Sequence, residues 1–297
     1  MKLEFVIIGG QKCGSTYLHS VINEHPDIAM VPGESPQLEN PDFNEGGLED
    51  LGHRLNALDQ SKTLGIKRPN YLALEEVPQR ISAINKNARL IAIIRDPLER
   101  FKSSYFHYIN YGFCPLLPLN DGVKSILTGE LSEAYPRTTD ILKFGFYSRH
   151  LMNYHRLFGE NLLILTYDEL SRNRRDVIKK CYTFLGVDPT FIPEKALNSR
   201  PQKGNYSLKR AWFKRFMYRY RYSYNEDKTR LYEKNQSAGE KMIYGLLYLI
   251  DKYIVRHIYR MPKPDYSESM RRALIDAYAG DIKDLERQFS LDLSNWK

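Results

Sequence analysis

Residues 5–16 read FVIIGGQKCGST, and this segment constrains the fold more than any other part of the chain. A short apolar run, as expected for a buried parallel strand, passes directly into glycines. Leu18, Val21 and Ile22 then recur at the spacing of one helix face. A strand that enters a helix through a glycine turn is the beginning of a parallel α/β sheet.

The same alternation continues and predicts an α/β fold, with a P-loop-like parallel sheet of about five strands flanked by helices. Further strands are predicted at 28–31, 64–67, 89–94 and 162–166. Helices are predicted at 15–24, 77–85, 96–110, 146–158, 176–185 and 267–289. Asp96-Pro97-Leu98-Glu99 has the form of a helix start, with Asp as N-cap and Pro in the first turn.

We expect one domain over residues 1–297, with a helical insert or lid at about 207–261. Residues 207–224 are basic and aromatic without an acidic residue, a composition that suits a substrate lid, a packed helix or a site for single-stranded nucleic acid. Residues 242–259 are apolar but interrupted by charges, and too short to span a membrane. A packed amphipathic helix is the favoured interpretation there, and contact with a membrane surface is the alternative.

The net charge and the cysteine count limit the binding partners and the cellular compartment that suit this chain. The net charge of +8 favours an anionic partner: a nucleotide, a nucleic acid, an acidic glycan or a membrane surface. Three widely separated cysteines argue against a disulfide framework, because their number is odd and no Cys-x-x-Cys pair is present. The first residues, MKLEFVIIGG, do not resemble a signal peptide. We therefore expect free thiols and a cytoplasmic location.

The glycine loop is a candidate anion site, because backbone N–H groups and a helix N-terminus converge there. Gly9 and Gly14 have the spacing of the ATPase motif G-x-x-x-x-G-K-[ST], yet Ser15 takes the position of its lysine and Lys12 lies inside the loop. A magnesium-binding Asp directly after an apolar strand is also missing, since Arg95 precedes Asp96. These departures disfavour an ATPase or nucleotide-dependent kinase and leave the anion site in place.

Arg95 provides a second candidate anchor, because it directly follows the predicted strand 89–94. In open α/β sheets, ligands bind at the carboxyl ends of the strands. Ser103 follows about two turns into the next helix, and a guanidinium with a hydroxyl can grip one phosphate group. Two such anchors predict a ligand that carries two separated phosphate-like groups.

The two segments GGQKCGST and RDPLERFKSS together resemble the sulfotransferases that use 3′-phosphoadenosine 5′-phosphosulfate (PAPS). That family carries x-x-K-x-G-[ST]-[ST] after its first strand and R-D-P-x-x-R-x-x-S later in the chain. The resemblance implies that Arg95 and Ser103 hold the 3′-phosphate, and that Lys203 and Gly204 of the segment NSRPQKGNY also contact PAPS. The 5′-phosphosulfate would be held by Gln11, Lys12, Cys13, Gly14, Ser15 and Thr16. No metal is expected.

The resemblance also implies catalytic residues. Lys12 would stabilise the leaving phosphate, and Lys67, in IKRPNY, would lie near the transferring group. In the glycan branch, the general base is a Glu after the second strand. Glu34 of VPGESPQLEN matches by position, although Gly33 replaces the usual lysine, and Glu39 is nearby.

In the branch that acts on small molecules, the base is a histidine. His53 and His107 are the candidates of that kind in this chain. The sequence leaves the choice among the two carboxylates and the two histidines open.

The expected function is sulfuryl transfer from PAPS, with 3′-phosphoadenosine 5′-phosphate (PAP) as product. The acceptor would be a hydroxyl or amine of a small molecule, such as a secondary metabolite in natural-product biosynthesis, or of a carbohydrate. We favour a lid role for residues 207–224 and expect no nucleic-acid partner. The alternatives are a nucleotide-binding protein without turnover and a nucleic-acid binder that uses those residues. The sequence does not determine the oligomeric state, or O- versus N-sulfation.

Overall fold

A computed structural model describes residues 1–197 and 204–296 of the chain. Its centre is a five-stranded parallel sheet with the strand order β2-β3-β1-β4-β5, which confirms the predicted fold class. The strands are β1 (Phe5–Gly9), β2 (Ile28–Met30), β3 (Thr63–Lys67), β4 (Arg89–Ile94) and β5 (Leu162–Thr166). All of β1 and all but the first residue of β4 are buried, because helices cover both faces of a parallel sheet.

The helices of the first half of the chain are α1 (Ser15–Ile22), α2 (Glu45–Asn56), α3 (Val77–Ile84), α4 (Pro97–Tyr111), α5 (Leu119–Leu127), α6 (Thr138–Lys143) and α7 (Tyr147–Phe158). Those that follow are α8 (Tyr167–Arg172), α9 (Arg174–Leu185), α10 (Glu194–Leu197), α11 (Leu208–Tyr218), α12 (Ala238–Ile250), α13 (Arg256–Ile258) and α14 (Glu268–Phe289). A π-helical turn, Asp251–Val255, joins α12 to α13. Strands β6 (Tyr222–Tyr224) and β7 (Leu231–Glu233) form an antiparallel hairpin.

The chain divides into two compact units. The first comprises Met1–Arg100, Phe146–Pro201 and Gly280–Lys297, and it contains the parallel sheet. The second comprises Phe101–Gly145 and Gln202–Ala279. The predicted insert at 207–261 lies within the second unit, and the single-domain organisation of the chain stays a prediction.

The helix start predicted at Asp96 is confirmed by its hydrogen bonds. Oδ1 of Asp96 accepts from the backbone N–H groups of Leu98 at 2.8 Å and Glu99 at 3.0 Å, and Pro97 is the first helical residue. This cap fixes the point where the chain turns from β4 into α4, and so places Arg95 between the strand and the helix.

The structure corrects the sequence analysis in the second unit. Helices α5 and α6 and the hairpin β6–β7 were not predicted. The preference for a packed helix over 242–259 is wrong for its most apolar positions: α12 has no buried residue, and Met242 is 72% exposed. The buried positions of the segment are Asp251 and Val255 in the π-helical turn.

Two further expectations concern thiols and membranes. Cys13, Cys114 and Cys181 are free, as expected, and the structure shows that all three are buried. Across residues 1–197 and 204–296, no helix has both the length and the apolar character needed to cross a bilayer.

Two glycines of the first unit give a matched test of the core. Gly65 of β3 pairs with Phe5 of β1, and a Cβ on Gly65 would lie 2.3 Å from the buried Phe5 ring. Gly65→Ala should lower the free energy of unfolding by about 1–3 kcal/mol through overpacking. Gly52→Ala, in α2, meets no atom within 4 Å and should raise it by about 0.5–1 kcal/mol. Urea denaturation measures the free energy of unfolding of both variants. If the two values change in the same direction, the close packing of Gly65 against Phe5 is contradicted.

Candidate active site at the carboxyl ends of β1, β3 and β4

The strand order creates a crevice between β1 and β4. From β1 the chain continues to β2 and β3 on one side, whereas from β4 it continues to β5 on the other. Ligands bind at such a switch point, outside the carboxyl ends of the strands. The loop after β1 and Arg95 after β4 meet there, and Nη1 of Arg95 donates to the Lys12 carbonyl oxygen at 3.4 Å.

The backbone of the loop is shaped by positive φ angles. Gly9, Lys12 and Gly14 have φ values of 113°, 65° and 99°. A Cβ on Gly9 would lie 2.1 Å from the Pro69 carbonyl oxygen, so only glycine fits that position. Gly14 is the N-cap of α1 and supplies no side-chain acceptor to the first helical turn. The amides of that turn are therefore available to an anion.

Lys12 and Arg95 bring two positive charges close together. Burial lowers the pKa of Lys12, and the charge of Arg95 lowers it further, while Cys13 and Glu34 act in the opposite direction. Arg95 is held by Glu99, at 3.2 Å, and by the ring of Tyr167, 4.6 Å from its guanidinium carbon. An anion bound beside these two cations would offset their repulsion.

The other loop residues differ in what they offer to a ligand. The Cys13 side chain is buried, with Sγ 3.6 Å from the Tyr147 hydroxyl oxygen, and burial raises the pKa of its thiol. Nε2 of Gln11 donates to Oδ1 of Asn70 at 3.1 Å. Ser15 is buried, whereas Thr16 is exposed. Of the two hydroxyl side chains predicted to bind the ligand, that of Thr16 is thus open to solvent and that of Ser15 is not.

Lys67 joins the loop to the segment that follows β2. It is the last residue of β3, and its side chain is buried. Its Nζ donates to Oγ1 of Thr16 at 3.3 Å and to Oε1 of Glu34 at 3.2 Å. The Glu34 side chain is 41% exposed, so its carboxylate is accessible from outside while it contacts the buried ammonium.

Arg68 lies between the two candidate carboxylates. Its Nη1 donates to Oε2 of Glu34 at 2.6 Å, and its Nε donates to Oε2 of Glu39 at 3.1 Å. Nη2 completes a two-point contact with Glu39, whose side chain is buried. Burial lowers the pKa of Arg68, but the hydrogen bond and charge of Glu39, helped by Glu34, raise it above its ordinary value. Glu39 is therefore a buried partner of Arg68, and Glu34 is the accessible carboxylate of the pair.

Two side chains brace the segment that carries Glu34. Arg54 of α2 donates to the Pro32 carbonyl oxygen at 2.8 Å and to that of Glu34 at 3.4 Å. The Tyr71 hydroxyl donates to the Ser35 carbonyl oxygen and accepts from the Leu38 N–H at 3.0 Å. The segment is thus held from both sides of Glu34.

Comparison with known proteins identifies the family of this chain. The family model of the sulfotransferase domain matches residues 3–216, well over half of the chain. The chain belongs to the sulfotransferase family. The human heparan sulfate glucosamine 3-O-sulfotransferase 3B1 is 28% identical over 211 residues, which cover 69% of this chain and 51% of that protein. The match therefore spans about half the length of this relative.

Solved structures share the fold of this sulfotransferase-family chain. The sulfotransferase from Alicyclobacillus acidocaldarius superposes with a TM-score of 0.68 at 18% identity, covering 100% of this chain and 99% of that one. Mouse SULT7A1, solved in complex with PAP, gives a TM-score of 0.51 at 18% identity, covering 97% and 87% of the two chains. At these identities the likeness establishes the fold alone.

The remaining predicted site residues are distributed differently. His53 is exposed on α2 of the first unit. Ser103 and His107 lie on α4 in the second unit, where the His107 ring is 4.9 Å from that of Tyr111. Gly204 also belongs to the second unit, and Lys203 lies outside the described residues. The roles of these residues stay predictions.

Sequence analysis missed three residues of this candidate site. Arg68 was visible as the residue that directly follows Lys67 in IKRPNY, and Tyr167 as the residue that directly follows β5. His19 of α1 places Nε2 3.3 Å from the Val31 carbonyl oxygen. Burial lowers the pKa of His19, Lys67 lowers it further and Glu34 raises it. The feature of the sequence that could have indicated His19 was its position one helical turn after Ser15.

Within the part of the chain that the structure describes, no three His, Cys, Asp or Glu side chains are grouped so as to bind a metal ion.

The Arg68–Glu39 pair makes a direct prediction about stability. Arg68→Met should lower the free energy of unfolding by about 3–5 kcal/mol, because it leaves the buried Glu39 carboxylate without its main cation. The double variant Arg68→Met/Glu39→Met should recover most of that loss. Arg149→Met, which removes an exposed pair with Glu75, should cost less than about 1 kcal/mol. Denaturant unfolding measures the loss of stability in each variant. Equal losses of unfolding free energy in the Arg68 and Arg149 variants would contradict a buried Arg68–Glu39 pair.

Proposed function

We propose that this protein transfers a sulfuryl group from PAPS to a hydroxyl or amine of a carbohydrate or small-molecule acceptor. The observation that carries the proposal is the double contact of Lys67 Nζ, at 3.3 Å from Thr16 and 3.2 Å from Glu34. It connects the loop suited to a phosphosulfate with an accessible carboxylate suited to deprotonating an acceptor. Family membership over residues 3–216 supports the same reaction.

Features of the loop support PAPS as the donor. Gly14 leaves the first amides of α1 without a side-chain acceptor, and Lys12 with Arg95 adds two cations beside them. We assign Lys12, Gly14, Ser15 and Thr16, with the backbone of Gln11 and Cys13, to the 5′-phosphosulfate. Arg95, with Ser103, is assigned to the 3′-phosphate, and Gly204 and Lys203 to further contacts. The presence of PAP in the mouse SULT7A1 structure supports this ligand class.

The chemistry follows from the charges around Glu34. PAPS supplies the sulfuryl group, and the acceptor hydroxyl or amine attacks it as its proton passes to the Glu34 carboxylate. Lys12 and the loop N–H groups stabilise the negative charge that develops on the departing phosphate oxygen. Lys67 contacts both sides of the reacting centre and positions Glu34 against the loop. Among the four base candidates we favour Glu34, because Glu39 is buried against Arg68.

Both acceptor classes remain part of the proposal. The name of the human relative refers to a glucosamine of heparan sulfate, and the net charge of +8 suits an acidic glycan. A role in natural-product biosynthesis is the small-molecule form of the proposal. A cytoplasmic location is included as well, supported by three buried free thiols, which are stable in a reducing compartment.

Calorimetric titration with PAP tests the donor site. The wild-type protein should bind PAP, and Lys12→Ala and Arg95→Ala should each weaken binding about ten- to a hundredfold, because each removes a charge-assisted contact. Lys86→Ala, which removes an exposed lysine of the first unit, is the matched control and should bind like the wild type. Circular dichroism confirms that each variant is folded. A folded wild-type protein that does not bind PAP would refute the proposal.

Transfer of radiolabelled sulfate from PAPS tests the base. With a panel of amino and hydroxyl acceptors, Glu34→Gln should lower the transfer rate about 10²- to 10⁴-fold and leave PAP affinity unchanged. Glu49→Gln, at an exposed position of α2, is the control. Equal rates for Glu34→Gln and wild type would assign the base to another residue. PAP binding without transfer to any acceptor would favour the nucleotide-binding alternative.

A further inference from the structure

The helical segment 238–258 of the second unit, formed by α12, the π-helical turn and α13, carries an unusual surface. Met242 is 72% exposed, Leu246 60% and Ile258 67%. Large apolar residues exposed along this segment are Met242, Ile243, Leu246, Tyr248, Leu249, Tyr253, Ile254 and Ile258. Among them, Met242, Leu246, Leu249 and Tyr253 recur at the spacing of one helix face, and the whole set is named the exposed apolar face. Exposed apolar residues are normally scattered singly, so this many along one helical segment indicates an interaction site.

The orientation of this segment is fixed by its opposite side. Arg210 of α11 makes a two-point ion pair with Asp251, with Nε–Oδ1 at 2.8 Å and Nη2–Oδ2 at 2.7 Å. Asp251 and Val255 are buried, and a capping box of Ser237 and Glu240 starts α12. Rotation of the helix to bury its apolar face would break this two-point ion pair, so the pair fixes the helix in its present orientation.

Cations border the exposed apolar face. Between residues 238 and 263, the acidic residues are Glu240 and Asp251, and Asp251 is paired with Arg210. The exposed basic residues of the same stretch are Lys241, Lys252, Arg256, Arg260 and Lys263. An apolar helix face bordered by Lys and Arg is the composition of a helix that lies in the boundary of an anionic bilayer.

We propose that the exposed apolar face docks this protein onto the surface of a membrane rich in anionic lipids. The segment lies in the plane of the headgroups, with Leu246 and Leu249 towards the acyl chains and Lys252 and Arg256 against lipid phosphates. The family match ends at residue 216, so this surface lies outside the part of the chain that the family model covers. The proposal goes beyond sulfuryl transfer and does not depend on it.

Charge and side-chain chemistry disfavour the other occupants. A second copy of the chain would place the same face against itself, and its bordering cations would then repel each other. Nucleic acid would contact the cations and aromatic rings but leave Met242, Leu246 and Ile254 in water. A lipid surface satisfies both the cations and the aliphatic side chains.

Vesicle flotation tests the proposal with the full chain. The wild-type protein should float with phosphatidylcholine vesicles that contain about 30% phosphatidylglycerol, much less with phosphatidylcholine alone, and more weakly at high salt. Leu246→Glu/Leu249→Glu should abolish flotation, and Lys252→Glu/Arg256→Glu should lower the partition coefficient at least about thirtyfold. Leu157→Glu, at an exposed leucine of α7 in the first unit, is the matched control and should float like the wild type.

A fluorescent label reports which surface enters the bilayer. Because the three native cysteines are buried, a cysteine introduced as Met242→Cys can be labelled selectively with a polarity-sensitive dye. Its emission should shift to the blue with anionic vesicles, whereas a label at Leu157→Cys should not shift.

Several outcomes would overturn the proposal. They are a folded wild-type protein that ignores anionic vesicles, and unchanged flotation of the Leu246→Glu/Leu249→Glu variant. Sedimentation that shows a dimer abolished by that variant, without vesicle binding, would assign the face to a second copy. RNA binding that these leucine substitutions abolish, again without vesicle binding, would assign it to nucleic acid.

Discussion

The parallel pairing of β1 with β4 is the constraint on which the rest of the site depends. Their register, from Phe5 with Arg89 to Gly9 with Ala92, brings the ends of both strands to one edge of the sheet. The loop after β1 and Arg95 after β4 are then neighbours, although 83 residues separate the two partners of the Arg95–Lys12 hydrogen bond. A sheet in which β4 lay elsewhere would keep a glycine loop and an arginine but would not bring them together as a candidate anion site.

Around this junction the protein retains charges that are costly to bury. Lys67, Arg68 and Glu39 are buried or nearly so, and each is kept by partners on another segment of the chain. Desolvation of such groups is repaid only when the hydrogen-bonding geometry is good, so a network of this kind adds little net stability. The network instead orients the Glu34 carboxylate, because Lys67 and Arg68 each contact one of its two oxygens. Sites of chemistry commonly sacrifice stability in this way.

In the second unit, an ion pair holds a helical segment whose apolar side chains face solvent. There the ion pair of the partly buried Arg210 with the buried Asp251 holds a helix that presents aliphatic side chains to solvent. A polar contact on the inside and an apolar face on the outside reverse the usual amphipathic arrangement of a surface helix. A lipid surface that covers the outside would remove this inconsistency, since the apolar side chains would leave water.

Local patterns predicted a large part of this protein. The bounds of β4 and β5 agree with the sequence analysis, and the cap at Asp96 was visible in four residues, because hydrophobic periodicity and capping act over one or two turns. The loop of Lys12 was recognisable because glycines at fixed spacing permit the positive φ angles of such a loop. Tertiary structure alone decided that Arg68 lies between Glu34 and Glu39, that Tyr167 packs on Arg95, and that the apolar side of residues 242–258 faces outward. Those outcomes depend on contacts between segments about thirty to seventy residues apart in the chain, and no local pattern encodes which partner a charge or an apolar face will meet.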